Sequence, residues 1–120
     1  MTTRPSAHVA PLIPHISEAL FQTRIEQMCR LLRLRWHHEV DSRRSRKGFP
    51  DLVIVGPGGV VFAELKAQNG RVTAEQRDWL ADLTTAPGGH RAEVWRPADW
   101  DHIEAVLRDL ARPTARRAEP

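Results

Sequence analysis

The fold is decided by residues 51–66, which read DLVIVGPGGVVFAELK. Two runs rich in β-branched residues, 51–55 and 60–66, flank a Gly-Pro-Gly-Gly stretch that is typical of a tight turn. This pattern predicts a β-hairpin. If the turn closes symmetrically, directly opposed residues share one face of the hairpin, with Cβ atoms about 4.5–5.5 Å apart. The predicted pairs are Val55 with Val60, Val53 with Phe62, and Asp51 with Glu64.

The hairpin would bring two carboxylates and an ammonium group together. Lys66 lies two residues beyond Glu64 and therefore points to the same face. Opposed carboxylates repel each other unless a cation lies between them, and a divalent metal ion together with the lysine would meet that need. The spacing also allows an edge hairpin with exposed charges, because a slip of one residue would turn Glu64 and Lys66 to the other face.

Length and composition indicate one intracellular globular domain. A chain of 120 residues with 41% apolar side chains can form a single core, expected over residues 16–111, between a flexible leader (1–15) and a flexible tail (112–120). No apolar run is long enough to cross a membrane, and residues 1–14 lack the pattern of a signal peptide. The single cysteine, Cys29, is predicted to be a buried thiol, which favours a reducing, cytoplasmic compartment.

Positive charge is concentrated just before the hairpin. Residues 30–47 contain seven basic and two acidic side chains, whereas the whole chain has a net charge of +3. A local basic block suits a phosphate-backbone partner, although a solvated basic face is also common. The candidate DNA contacts are His38, Arg43, Arg44, Arg46 and Lys47.

Helix-start signals predict three helices. Ser17 is a suitable N-cap for a helix over residues 17–34. A Thr-Ala-Glu-Gln capping box opens a second helix over 73–85, and Asp99 is expected to cap a third over 99–110. The apolar residues predicted to form the buried face of the second helix are Trp79, Leu80 and Leu83. A surface ion pair is predicted between Glu26 and Arg30.

Two polar side chains lie on the predicted inward faces of these helices. Glu18 precedes Phe21 by one turn on the apolar stripe, although a glutamate in a first turn is also favoured by the helix dipole. Gln76 precedes Trp79 by one turn. Its amide could close the capping box on the Thr73 backbone, or it could reach the end of the hairpin.

The predicted order of elements is α-β-β-β-α-β-α. Further strands are expected over residues 35–40 and 91–96. The strand that ends near Lys66, the helix over 73–85 and the strand over 91–96 would form a βαβ crossover. The predicted fold is therefore of the α/β class, with a mixed central sheet flanked by helices.

These motifs resemble the PD-(D/E)xK nuclease superfamily and, within it, the virus-type replication-repair nuclease (VRR-NUC) domain. The matching segments are GFPDL at 48–52, ELK at 64–66, and Gln76 with the Trp-Leu pair at 79–80. The Ser-Arg-Arg-Ser segment at 42–45 is similar to stand-alone, phage-type members. The resemblance covers roughly residues 18–100 and implies a restriction-endonuclease-like core.

The resemblance also implies a metal-dependent DNA endonuclease. Asp51, Glu64 and the backbone carbonyl of Leu65 would ligate Mg²⁺ or Mn²⁺, ions that prefer oxygen ligands. Glu18 would contact the metal directly or through water. Lys66 would orient or deprotonate the attacking water, or stabilise the developing charge.

Further implications concern substrate and assembly. Gln76 would brace Lys66 or the phosphate. Stand-alone members look like Holliday-junction resolvases that act as homodimers in repair, recombination or phage replication, and the dimer interface could come from Trp36, Trp95 or Trp100. Two other functions fit the sequence: a non-catalytic nucleic-acid-binding module that keeps the fold, and a small partner-binding domain.

Overall fold

The structure, a computed structural model, describes residues 15–40 and 47–113. The predicted leader and tail lie largely outside these residues, as do the candidate DNA contacts Arg43, Arg44 and Arg46. The elements are α1 (Glu18–Leu31), β1 (Arg35–His38), β2 (Leu52–Gly56), β3 (Gly59–Leu65), α2 (Ala74–Thr85), β4 (Arg91–Trp95) and α3 (Trp100–Ala111), with a 3₁₀ turn (Pro97–Asp99) before α3. The predicted order of elements is confirmed.

The four strands form one mixed sheet in the order β1-β2-β3-β4. β1 pairs with β2, and β2 with β3, in the antiparallel sense, whereas β3 and β4 are parallel. The predicted βαβ crossover through α2 is therefore confirmed, and so is the α/β, restriction-endonuclease-like fold class. This arrangement brings the end of β3 beside both the start of β2 and the end of β4.

The register of the hairpin is as predicted. Its turn is tight, because Gly56 pairs with Gly59 and leaves two residues between the strands. The turn packs against the end of α3: the Gly58 N–H donates to the Leu110 carbonyl over 2.8 Å, and a Cβ on Gly58 would collide with the Asp109 carbonyl oxygen. The confirmed pairs are Val55 with Val60 and Val53 with Phe62.

The main core lies between one face of the sheet and helices α1 and α3. Its sheet residues are Leu52, Ile54, Val61, Ala63 and Leu65, all fully buried. Cys29 on α1 is also fully buried, as predicted, and burial raises the pKa of its thiol to about 12. Among the described residues, no helix has the length and apolar character needed to cross a membrane.

The second face of the sheet is covered more lightly. Trp79, Leu80 and Leu83 of α2 are half-buried, and α2 contains no buried residue, so the prediction that they form a buried helix face is wrong. α2 contacts chiefly β4, and the Phe49 ring fills the space between α2 and β3, 5.0 Å from Trp79 and 6.4 Å from Phe62. Among the described elements, α2 alone covers this face of the four-stranded sheet, so these side chains are only partly shielded.

The end of α1 differs from the prediction. The helix ends at Leu31, not Leu34, because Arg33 adopts a left-handed conformation with φ 62°. The Leu34 N–H donates to the Cys29 carbonyl over 2.8 Å, and the Arg33 N–H donates to the Arg30 carbonyl over 3.1 Å. This is the hydrogen-bond pattern of a Schellman cap, which usually places glycine in the left-handed position.

Two predicted side-chain interactions are wrong. Glu26 accepts a hydrogen bond from the Gln22 amide over 2.8 Å, and the Arg30 guanidinium lies 5.3 Å from the centre of the Trp36 ring. A cation–π contact with a half-buried ring replaces the expected surface ion pair. The Asp99 carboxylate accepts from the Arg96 N–H over 2.9 Å, so it caps the 3₁₀ turn and not α3.

Two of the three candidate interface tryptophans are buried in the core. Trp95 is fully buried and Trp100 is 6% exposed, so neither ring is available to a partner. Both belong to the core beneath the sheet, where an apolar ring of this size gains most from burial. Trp36 is half-buried under Arg30. The prediction of an interface from Trp95 or Trp100 is wrong.

Candidate active site

Two carboxylates meet where β2 begins and β3 ends. The last paired residues of the hairpin are Leu52 and Ala63, so Asp51 lies one step further, opposite Glu64. The Asp51 carbonyl accepts the Glu39 N–H over 2.9 Å on the side of β1. The Asp51 carboxylate accepts the Leu65 N–H over 2.8 Å, which fixes the side chain against the end of β3.

The Glu64 carboxylate is buried and only partly satisfied. The residue is 2% exposed. Its Oε2 accepts from the Gln76 amide over 2.8 Å and lies 3.7 Å from the Lys66 ammonium. Its Oε1 is also buried but has no hydrogen-bond partner among the described residues. A buried oxygen without a donor is costly, so this atom marks the place of a further cationic or protonated partner.

The electrostatics of Glu64 point the same way. The pKa of its carboxyl is raised to about 8, first by burial and then by the charge of Asp51. Lys66 lowers this pKa and Glu18 raises it. A proton on Glu64, or a cation between the two carboxylates, would relieve the repulsion.

Glu18 reaches this site from the start of α1. Ser17 caps the helix as predicted, accepting the Leu20 N–H over 3.1 Å, which leaves Glu18 in the first turn. The residue is exposed, so the expectation that it points into the packed side is wrong. Its charge nevertheless acts on Glu64, because the first turn of α1 lies at the rim of the site.

Gln76 performs both of the roles considered for it. Its Oε1 accepts the Thr73 N–H over 2.9 Å and its own N–H donates to the Thr73 hydroxyl over 3.1 Å, which closes the capping box. Its Nε2 donates to Glu64 over 2.8 Å. One amide therefore ties the start of α2 to the buried carboxylate. Its contact in the site is with Glu64, not with Lys66.

These two roles can be separated by a matched pair of substitutions. Thr73→Ala should remove only the cap and cost about 1 kcal/mol of the free energy of unfolding. Gln76→Ala keeps the bond to the Thr73 hydroxyl but removes the reciprocal bond to the Thr73 N–H. It also leaves Glu64 without its amide donor, so we expect a further loss of roughly 10- to 100-fold in cleavage rate. Urea unfolding and single-turnover cleavage measure the two effects. Equal cleavage by both variants would contradict a site role for Gln76.

A residue that sequence reasoning missed, Arg96, holds the loop that follows Lys66. The Lys66 N–H donates to the Trp95 carbonyl over 3.0 Å. The Arg96 Nη1 then donates to three loop carbonyls, those of Ala67 (2.9 Å), Gln68 (3.2 Å) and Gly70 (2.7 Å). Since β3 and β4 are parallel neighbours, an arginine just after β4 can reach this loop. The sequence alone carries no signal for that contact.

The segment that leads to Asp51 begins at Gly48, a position that only glycine fits without strain. Its φ is 90°, and a Cβ there would lie 2.6 Å from the backbone carbonyl carbon of Glu75 in α2. The chain therefore crosses close over the first turn of α2. Phe49 then packs on Trp79 and Pro50 is buried, so the segment enters the site in a fixed direction.

Gly48→Ala should combine backbone strain with a collision. We expect a loss of about 3 kcal/mol in the free energy of unfolding and a Tm lower by roughly 10 °C. Gly89→Ala is the matched control, because Gly89 has φ 79° but no atom within 4 Å of its built Cβ. It should lose only about 1 kcal/mol from strain. Equal losses in thermal unfolding would show that the contact with α2 is unimportant.

The other predicted site residues are distributed as follows. Lys47 is exposed, with its ammonium 3.9 Å from the Glu75 carboxylate. His38 is half-buried and pairs with Leu52. It therefore lies on the face of the sheet that packs against α1 and α3, whereas Asp51 lies on the opposite face. Leu65 contacts the site through its N–H group. The predicted role of its carbonyl as a ligand stays a prediction.

The donor set fits a hard divalent cation. Within residues 15–40 and 47–113, no group of three or more His, Cys, Asp or Glu side chains is arranged to hold a metal ion. Mg²⁺, however, is usually bound by one or two carboxylates, with water and substrate phosphate as its other ligands. Asp51 and the unsatisfied oxygen of Glu64 supply that smaller set.

Comparisons with known proteins agree with this arrangement. The VRR-NUC domain family model matches residues 8–99. A curated protein named Probable kinase PglW, from Streptomyces coelicolor, is 38% identical over 69 residues, which are 56% of this chain and 4% of that protein. The chain thus corresponds to a small part of this relative. No solved structure gives a significant match.

Proposed function

This chain belongs to the VRR-NUC domain family, and we propose that it is an endonuclease that hydrolyses phosphodiester bonds in DNA with Mg²⁺ or Mn²⁺. Family membership itself implies nuclease activity. The observation that carries the proposal is the buried Glu64 carboxylate, which has one oxygen without a donor and stands beside Asp51 and Lys66. We further propose that residues 16–111 form the nuclease domain.

The carboxylates would hold the cation between them. Asp51 and Glu64, with the Leu65 carbonyl and with Glu18 directly or through water, are the proposed ligands. When bound, the cation supplies a Lewis acid that polarises the scissile phosphate and activates a water molecule. The Leu65 N–H orients Asp51, and the Gln76 amide orients Glu64, so the protein sets the direction of both carboxylates before substrate binds.

Lys66 completes the proposed chemistry. Its side chain is 13% exposed and lies 3.7 Å from Glu64, which leaves the ammonium at the edge of the site. As an ammonium it would stabilise charge that develops on the phosphate. As an amine it would accept a proton from the attacking water. The hydrogen bonds of Arg96 to the adjoining loop would keep it in position.

We also propose a branched DNA substrate and a homodimer. Symmetric cuts in a four-way junction need two active sites, and the described residues supply one. Repair, recombination and phage replication inside a cell are the settings in which such cuts are needed. The Streptomyces relative is named a probable kinase, but this chain matches only 4% of that protein. We therefore do not propose kinase activity for this chain.

A cleavage assay tests the proposal. Labelled four-way junction, flap and linear duplex DNA are incubated with the protein and Mn²⁺ or Mg²⁺, and with chelator as control. We expect internal cuts that require the metal, with the junction cut fastest. Binding in chelator without cleavage under any condition, by a protein shown to be folded, would instead indicate a non-catalytic nucleic-acid-binding module.

A further inference from the structure

A shallow cavity of about 490 Å³, open to solvent, lies at the far end of α1 from Glu18, and its three arginines are exposed. We propose that it is a second phosphate-binding site, which holds the backbone of a DNA strand away from the cleavage site. The inference rests on the proposed function in taking DNA as the ligand. The residues around the cavity are Arg30, Arg33, Leu34, Arg35 and Trp36.

The cavity brings together arginines that lack acidic partners. Within the described part of the chain, Arg30, Arg33 and Arg35 make no ion pair with a carboxylate. Three guanidinium groups around one cavity repel one another unless an anion lies among them. Phosphate is the anion that the planar donors of arginine suit best. By contrast, Arg91 and Arg112 pair with Asp109, and Arg108 pairs with Glu104.

The aromatic ring fixes one of these cations in place. The Arg30 guanidinium lies 5.3 Å from the centre of the half-buried Trp36 ring, and Trp36 also packs against the core. A guanidinium held over a ring loses less freedom when it binds a ligand. The C-terminal dipole of α1 favours a cation such as Arg30 in its last turn, but it does not account for Arg35, which lies in β1.

The backbone at Arg33 is a second, independent sign of function. Its φ of 62° is the conformation at a helix end for which glycine is favoured. An arginine there is strained, and strained residues are concentrated at binding sites. Arg33 lines the cavity in this conformation, where a glycine would give an unstrained cap without a charge.

The distance between the two sites suits a DNA duplex. Arg30 follows Glu18 by twelve residues in one helix, which corresponds to roughly 18 Å along its axis. At about 3.4 Å per base pair, a duplex that runs along α1 and is cut at the carboxylates would reach the cavity roughly five base pairs away. The cavity would therefore bind backbone phosphates that flank the cut.

The test compares two triple variants in DNA binding. R30Q/R33Q/R35Q removes the cavity arginines, and R91Q/R108Q/R112Q removes the same charge from arginines that are already paired. Binding of a labelled duplex is measured in chelator over a series of salt concentrations. The logarithm of the binding constant K falls as the logarithm of the salt concentration rises, and each lost phosphate contact makes that negative slope less steep by about 0.9. We expect a fall of roughly 2 to 3 for the cavity variant and no change for the control.

A single substitution keeps the test valid if the triple variant does not fold. Arg33→Gly relieves the strained backbone, so it should raise the Tm while lowering the salt slope by about 1. An unchanged slope in Arg33→Gly, or equal slopes in the two triple variants, would overturn the inference. Binding is measured without cleavage, so the two proposals can fail separately. A changed slope in a protein that cuts no DNA would support phosphate binding at the cavity and contradict the proposed nuclease activity.

Discussion

Lys66→Met is expected to slow DNA cleavage on the order of 10²–10⁴-fold, the range for loss of one proton-transfer group. The substitution keeps the length and apolar stem of the side chain but removes the ammonium at the edge of the site, 3.7 Å from Glu64. The backbone hydrogen bond from Lys66 to Trp95 is unaffected, so the fold should persist. Single-turnover rates with excess protein measure the chemical step, and circular dichroism checks the fold.

Lys66→Arg separates the two roles proposed for this lysine. Arginine keeps the positive charge but does not release its proton at any pH that the protein tolerates. Substantial cleavage by this variant would indicate electrostatic stabilisation of the phosphate. A loss as large as that of Lys66→Met would indicate proton transfer from water. If Lys66→Met cleaves DNA at the rate of the unsubstituted protein, Lys66 has no role in catalysis.

Glu64→Gln is expected to abolish cleavage and, in chelator above pH 8, to stabilise the fold. Glutamine has almost the same shape and can still accept the Gln76 amide at the position of Oε2. It removes a buried charge that is opposed by Asp51 and lacks a donor at Oε1. Residues that bind a ligand often lower the stability of the ligand-free fold, because their arrangement is set by function.

The same carboxyl gives the metal-free protein a defined pH dependence. Its pKa is about 8 in the fold, compared with 4.5 for an ordinary glutamate. Because the folded state binds the proton more tightly, this stabilising contribution is complete below about pH 4.5 and is lost as the pH rises through about 8. Thermal unfolding in chelator across this window should show a falling Tm in the unsubstituted protein and a flatter curve in Glu64→Gln.

Addition of Mn²⁺ supplies the control for this prediction. A ligand that binds only the folded protein raises its stability by mass action, so the cation should raise the Tm of the unsubstituted protein above pH 8. It should leave Glu64→Gln unchanged. A Glu64→Gln variant that is less stable than the unsubstituted protein at high pH in chelator would show that the carboxylate is satisfied without a metal.

The fold could be predicted from sequence because its signals are local. The Gly-Pro-Gly-Gly turn between two β-branched runs determines the hairpin register, and that register alone places Asp51 opposite Glu64. The capping box at Thr73 determines where α2 begins and hence where Gln76 lies. In each case the determining residues are within a few positions of each other, so pattern and geometry suffice.

What the sequence did not reveal depends on contacts between distant segments. The left-handed Arg33 ends α1 early without the glycine that usually signals a cap. Arg96 reaches loop carbonyls that lie 26 to 29 positions earlier. Arg30 stacks on Trp36 and does not pair with Glu26, because the strand after the helix folds back beside it. Such contacts follow from the packing of the whole domain, which no local pattern encodes.

The central claim is that Asp51 and Glu64 together bind one divalent cation. Calorimetric titration of Mn²⁺ into the folded protein, Asp51→Asn and Glu64→Gln tests it most directly, because neither substitution changes the size of the side chain. We expect the unsubstituted protein to bind the ion and each single variant to lose that binding. Binding by Asp51→Asn as tight as that of the unsubstituted protein would contradict the claim.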